Sequence, residues 1–419
     1  MRLVLVAAAT ALVASATAVG ADRPFELVET TAPVGSEGHM VAYGRAKLLV
    51  AEPVYAADGG SLSRVDPDGS LDSSFGDAGK VGIAAEDVAV TVGGKILVAT
   101  TSHPRGGYGK NTKARITRLL PDGRPDSRFG VEGHVDIHFG RRYDYAEAVA
   151  VTPTGDILVA GIMVIYASDY GNENRLAVAR LKPDGSLDRS FGKRGFELLR
   201  YFGEIGATDI APTPSGGVLV QAGNEIESIL MKLRPDGGVD RRFGDDGYRE
   251  VRGRAGHHEG VLPVPGFAQL SGGKILLAGE GFGGRGGKEL SLVLRLQADG
   301  RIDRSFGRDG WVSLGGSSVA GLTTLPGGDV AAATSTVAGR AAKRPSFGAV
   351  VLAHDGTRDK RFSQAEPCRA SIAGRPSAAG VAVVGSHLIV GAEGFSGAWL
   401  LRCALPGRLV SASTSRIGG

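Results

Sequence analysis

Residues 180–195 read "RLKPDGSLDRSFGKRG". Pro-Asp-Gly is a turn signal: Pro presets φ, Gly accepts a positive φ, and the Asp side chain takes hydrogen bonds from the backbone just beyond it. Near copies begin at Arg64, Arg118, Lys232, Arg295 and, in worn form, Val351, so the stretch occurs six times. In every copy a second aspartate (Asp72, Asp126, Asp188, Asp240, Asp303, Asp359) stands four residues after the first. A phenylalanine (Phe75, Phe129, Phe191, Phe243, Phe306, Phe362) follows three residues later. The intervals between copies run from 52 to 63 residues, which marks a fixed unit carried between variable loops.

Between these copies a second element recurs seven times, for example "GGKILVAT" from Gly93, "TGDILVAG" from Thr154 and "GSHLIVGA" from Gly385. Each is a turn followed by a short apolar run, the pattern of a strand entered from a hairpin. One full unit reads as strands beginning at His134, Ala146, Asp156 and Arg175. Four short antiparallel strands repeated about seven times, without helical periodicity, predict an all-β fold: a seven-bladed β-propeller of four-stranded antiparallel blades. The expected organisation is one propeller domain over 22–419, with repeats over about 44–405. A terminal strand, from "FELVETTAP" or from "CALPGRLVSAST", is expected to complete the last blade and so remove open edges.

The "PDGSLDxSFG" and "GKILVAG" elements resemble those of the delta-60 repeat family, bacterial tandem repeats of about this length, over roughly residues 44–405. The copy from Val351 departs, with Ser363 and Glu366 in place of glycines. The resemblance implies a β-propeller-like protein, usually secreted or surface-associated, and no agreed activity. The turn-plus-strand pattern is also similar to gluconolactonase-like propellers, but no metal-ligand set of theirs can be placed on positions of this chain.

The opening residues "MRLVLVAAATALVASATAVGAD" put Arg2 before an apolar run that ends in small residues. This is the layout of a signal peptide over 1–21, cleaved after Ala21, with a retained anchor as the competing reading. A secreted or cell-envelope protein, with no membrane span after processing, is therefore expected. An oxidising compartment permits Cys368 and Cys403, the chain's 2 cysteines, to pair; two buried thiols are the alternative. The net charge of +4 is spread along the chain, so no nucleic-acid footprint stands out. A monomer is expected.

The repeated acids have a sufficient structural reading. Five copies carry a base four residues before the first aspartate (Arg64, Arg118, Arg180, Lys232, Arg295), so a basic-acidic pair recurs with phenylalanine as a plug between blades. Calcium is the rival, but only the first copy aligns three acids, Asp66, Asp68 and Asp72. Elsewhere the first of these positions is Leu120, Lys182, Arg234, Gln297 or Ala353, so no cofactor is expected in the repeat as such.

Three other stretches invite chemistry. "GEGFGG", Gly279–Gly284, matches a nucleotide-loop spacing but leads into a strand rather than a helix, which reads as a hairpin. His134, Asp136 and His138 alternate along a strand, as metal ligands or as the wet face of a sheet. "GHHEG", with His257 and His258, reads as an extended loop.

Strand alternation puts the PDG turns and the "TPTGD"-type hairpins on one face of the disc and the variable loops on the other. Variable loops on a rigid scaffold tend to carry binding residues. The candidates are Tyr108, Arg142, Tyr143, Tyr145, Tyr166, Tyr170, His257 and His258. The expected function is non-catalytic binding of a carbohydrate, cell-wall polymer or protein through that face. The alternative is a metal-dependent hydrolase or lactonase, which requires acids, Asn or His from several blades converging on the axis. The nearly apolar inner segments "AVAVTP" and "DVAVTV" weigh against it.

Overall fold

The computed structural model describes residues 25–30, 39–44, 46–52, 60–102, 112–140, 143–168, 171–199, 205–223, 228–255, 258–261, 266–283, 288–315, 318–325, 327–336, 345–360, 362, 368–371, 377–394 and 397–405. The signal peptide expected at 1–21 lies outside them. Short apolar runs bounded by glycine-containing turns form seven antiparallel sheets. Their inner strands are His39–Tyr43, Asp87–Val90, Tyr143–Val151, Gly206–Pro212, Phe267–Gln269, Ser318–Thr324 and Ser377–Val384. The seventh inner strand packs back on the first, so the sheets close as a ring. This is the seven-bladed β-propeller expected from the repeat. One short 3-10 turn, Ser271–Gly273, interrupts the strands. No helix of the described residues is long and apolar enough to cross a membrane.

The third sheet shows the unit: Tyr143–Val151, Ile157–Ser168, Gly171–Leu181 and Phe196–Leu199, each paired with the next. The strand His134–Ile137 pairs with Lys113–Leu119 and is the outer strand of the second sheet. The expected grouping of His134 with the strand from Ala146 is thus shifted by one. The PDG turn lies within a sheet, and the chain after it returns antiparallel along the strand it has just left.

Ring closure uses the N-terminal strand. Phe25–Thr30 pairs with Gly397–Ala404 as the outermost strand of the seventh sheet, with Phe25 opposite Cys403. The fifth sheet is larger than a four-stranded blade, because the hairpin Arg252–Ala255 and His258–Val261 adds to the far end of Ile275–Gly283. His258 is therefore a strand residue rather than part of an extended loop, and His257 lies outside the described residues. The stretch from Gly279 turns back into Lys288–Leu296, strand to strand, as its hairpin reading required.

The repeated motif is a clip between sheets. Arg118 lies with its guanidinium 4.4 Å from the Phe129 ring centroid, donates to Asp126 at 2.9 Å, and donates across the junction to the Pro183 carbonyl. Arg64, Arg180 and Arg295 do the same with Asp72, Asp188 and Asp303, and reach Pro121, Pro235 and His354. Lys232 stands over Phe243 and donates to the Ala298 carbonyl. The glycine after each of the first five phenylalanines donates its N–H to the next sheet's turn, as Gly76 does to Asp122 at 2.8 Å and Gly192 to Asp236 at 2.7 Å. The turn glycine must then press against its neighbour: a Cβ on Gly123 would lie 2.9 Å from Gly76 N, at a φ of +89° that L side chains rarely adopt. The two aspartates of each of the first five copies divide the work. The first caps its own turn, as Asp184 accepts from Ser186 N–H at 2.8 Å, and the second joins the clip.

The sixth copy has Val351 where the others have Arg or Lys, so it cannot form the ion pair. At that junction a disulfide joins Cys368, beside the outer strand of the sixth sheet, to Cys403 in the seventh, with Cα atoms 5.8 Å apart. Both sulfurs lie in the cluster that holds Phe362. A covalent link therefore stands where the electrostatic one is missing.

Candidate functional site

The clips account for most of the acids singled out in the sequence. Asp72 accepts from Arg64 at 2.6 Å and Lys47 at 2.5 Å, Asp66 lies 3.0 Å from Lys47, and Asp68 caps Ser70. Burial works against the charge on Asp72, but Lys47, Ser74 and Arg64 outweigh it and hold the carboxyl well below the usual range. Lys95 lowers Asp126, and Asp303 is likewise depressed, burial being overcome by Lys274 and Ser305. These lysines come from the hairpin before the second strand, which places hairpins and PDG turns on one face, as alternation predicted. Asp136 is held by Arg115 through two bonds, at 2.6 and 3.1 Å, while His138 faces Asp144 at 3.7 Å. His134, Asp136 and His138 are thus not gathered around one point, and among the described residues no group of three or more His, Cys, Asp or Glu is arranged to hold a metal ion.

A different set of acids stands on the inner strands. Register shifts at Ala146/Ala148 and Ala207/Asp209 bulge the inner strands of the third and fourth sheets, and the sixth and seventh repeat them at Val319/Gly321 and Ala378/Gly380. A bulge re-aims one side chain out of the pleat. Glu147 accepts from Ala207 N–H of the next sheet at 2.6 Å, and Asp209 from Phe267 N–H at 3.0 Å. Asp87 at the start of the second inner strand completes the series, accepting from Val149 N–H at 2.8 Å, with His39 3.4 Å away. Three consecutive inner strands are therefore each tied to the next by a carboxylate.

His39, Asp87, Thr208 and Asp209 line one side of an axial cavity of about 250 Å³, and small residues such as Gly321 and Gly380 line the other. Enclosure raises all three acids. Glu147 is pushed up to about 8, with Ala207 N–H opposing and Glu86 adding to the burial effect. Asp209 is pushed up to about 7, the Phe267 N–H opposing and the Asp87 charge assisting. Asp87 is raised by burial, against the pull of His39. Acids so placed hold or release a proton near neutral pH, and perturbed groups in a cavity mark candidate sites.

These residues were not singled out from the sequence, where the inner segments read as apolar. Their signal is an acid at the head of each run, in "AEDVAV", "AEAVAV" and "ATDIAP". Its meaning depends on the bulges, which a period-of-two reading does not contain.

Raised carboxyl pKa values carry a sign. A group that binds its proton more tightly when folded adds stability that is full below its unfolded pKa of about 4 and is lost as pH rises through the folded value. Glu147→Gln is therefore expected to match the native chain near pH 4 and to exceed its stability at pH 9, by on the order of 1 kcal/mol after allowing for water in the channel. Thermal melts across that range measure the difference, and parallel profiles would refute it.

Of the surface candidates, Tyr143 and Tyr145 lie half-buried on the third inner strand, toward the end away from the clips. Tyr166 stands opposite Glu173 at the far end of the long hairpin, and His258 is in the added strand of the fifth sheet. The structure joins Tyr143, Tyr145 and Glu147 on one strand. Tyr108, Arg142, Tyr170 and His257 lie outside the described residues.

A family model described as a domain of unknown function (DUF5122) β-propeller matches residues 152–191 and 271–306, which are two of the hairpin-to-phenylalanine units. No curated protein matches. Among solved structures, the chain is similar to the Myceliophteria thermophila Cps50 (Swd1) β-propeller domain, with 11% identity, 91% of this chain and 100% of that one covered, and a TM-score of 0.45. It is also similar to the polysaccharide lyase Uly1, with 12% identity, 90% and 91% covered, and a TM-score of 0.47.

Proposed function

We propose that this chain is an exported binding propeller of the delta-60 repeat kind, recognising an extracellular polymer or protein through the face opposite its clips. The observation that carries the reading is the division of labour across the disc. On one face the repeat acids and bases are engaged in holding the ring. Toward the other lie Tyr143 and Tyr145, on the strand that also carries Glu147. Planar side chains with a hydroxyl provide contact area and a hydrogen bond together. The disulfide fits an oxidising compartment. On this reading the acidic side of the axial cavity favours cationic or hydrogen-bond-donating groups on the ligand.

A second reading is favoured by one observation: Asp87 and Asp209, from two blades, line the axial cavity together with His39, as a hydrolase would require. Glycan and cell-wall polymer arrays separate the two. Binding without turnover, weakened about tenfold or more in Tyr145→Ala, supports the binding module. Turnover of a lactone or glycoside that disappears in Asp209→Asn supports the enzyme. Binding unaffected by Tyr145→Ala removes that tyrosine from the site.

A further inference from the structure

The strand register places the walls of the axial cavity on one tier of the ring. Asp87 pairs with Ala99, two residues past the Leu97 that faces Arg118. By the same count His39 and Asp209 hold this position in the first and fourth sheets, and Gly321 and Gly380 hold it in the sixth and seventh. Gly266, one residue before the Phe267 that faces Leu277, holds it in the fifth. Polar side chains therefore stand on one side of the tier and bare backbone on the other. Ala148 is the third sheet's member, three residues past Tyr145 on the same strand.

The polar side is fixed in place. Asp87 accepts from Val88 N–H at 2.7 Å through Oδ1 and from Val149 N–H at 2.8 Å through Oδ2. Asp209 accepts from Ile210 N–H at 2.7 Å and Phe267 N–H at 3.0 Å in the same two-oxygen manner. A carboxylate has about four lone-pair sites, so each acid keeps accepting capacity beyond these bonds. The charge on Asp87 works against ionisation of Asp209, and His39, 3.4 Å from Asp87, is the one basic side chain in the lining. Beside them the Thr208 hydroxyl is buried and has no hydrogen-bond partner among the described residues.

The glycine side is held back by what it lacks. A Cβ on Gly321 or Gly380 would meet nothing closer than 3.8 Å, and one on Gly266 would stand 3.8 Å from Asp209 Oδ2, where a longer side chain would cover the carboxylate. Met40, Phe267 and Leu322 add apolar surface. At about 250 Å³ the cavity is smaller than the usual pocket for a drug-sized molecule and suits a single sugar-sized unit.

We propose that this cup binds a protonated amino sugar, its ammonium meeting Asp87 and Asp209, a ring hydroxyl meeting Thr208, and its C–H face lying on Met40, Phe267 and Leu322. The inference rests on the binding reading above and names its ligand class. A lysine side chain would answer the acids but leave Thr208 and the broad glycine wall unused. A neutral sugar would answer Thr208 but bring no cation to the two carboxylates.

Three oligosaccharides of equal length and linkage, built from glucosamine, N-acetylglucosamine and glucose, differ at one carbon by ammonium, acetamide or hydroxyl. Calorimetric titration of the full chain near neutral pH should show the glucosamine oligomer binding about tenfold or more tightly than the other two. Because the three differ only in the ligand, a folding defect cannot imitate that order. Asp209→Asn removes a charge and Gly321→Val fills the cup without removing one; each should erase the preference. Equal binding of the three oligomers would overturn this inference and leave the binding reading standing, since Tyr145→Ala tests that reading separately. No binding of the glucosamine oligomer up to about 10 mM, or a preference that survives both substitutions, would overturn it too. Tighter binding of a lysine-containing peptide would assign the cup to a protein ligand, and displacement of the amine by stoichiometric calcium would assign it to a metal; either result also overturns it.

Discussion

Phe129→Ala is expected to destabilise the protein by about 3–5 kcal/mol. The ring is fully buried, packed with Leu97, Ile116, Ala146, Val159 and Ala177 from two sheets. It is covered by the Arg118 guanidinium on one side and approached by Gly185 of the next turn on another, where an added Cβ would lie 2.8 Å from the ring. The loss is large because the space cannot collapse: backbone bonds such as Gly130 N–H to the Asp184 carbonyl fix the distance between the sheets. Phe362→Ala should cost less, since the Cys368–Cys403 bond holds its junction independently. Denaturant titrations of both variants provide the comparison. A loss below about 1 kcal/mol for Phe129→Ala would show that the plug is dispensable.

Asp126→Ala should be of similar size, about 3–5 kcal/mol, for an electrostatic reason. Arg118 and Asp126 are 8% and 3% exposed, so removing the carboxylate leaves the guanidinium facing a carbonyl and a ring and takes the partner from Lys95, 2.7 Å away, as well. The control lies in the same turn. Asp122 is exposed and caps its own backbone by accepting from Arg124 N–H at 3.0 Å, so Asp122→Ala should cost about 1 kcal/mol or less. Equal effects at the two positions would refute the division between turn cap and clip.

The same ion pairs set the acid limit of the fold. Asp72, Asp126, Asp188 and Asp303 are all depressed, so their contribution is fully present above the unfolded pKa of about 4 and is lost as pH falls through the folded values. The axial acids act in the opposite sense, losing stability as pH rises from about 4 toward 8. Clips and axis together place the stability maximum on the acid side of neutrality.

Much of this could be read from residues 180–195 and their copies. A turn dictated by Pro-Asp-Gly, an acid and a base at constant spacing, and an aromatic at a third fixed position are local features, and each kept its expected role. The faces of the disc followed from strand alternation. The blade phase did not, because nothing local shows whether the strand from His134 pairs backward or forward. The inner-strand carboxylates were hidden by their company: Asp87, Glu147 and Asp209 sit at the heads of apolar runs, and a bulge turns Glu147 out of the alternation that would have placed it within a sheet.

The sequence by itself determined that the chain repeats a strand-turn-strand unit, that its paired charges belong to turns, and that some terminal strand must cover an open edge. These follow from backbone sterics and side-chain periodicity, which act over a few residues. Only the tertiary structure decided that Phe25–Thr30 supplies that edge and that a disulfide stands in for the missing ion pair at Val351. Those outcomes depend on closing a ring, where residues hundreds of positions apart share one interface and the last unit must meet the first.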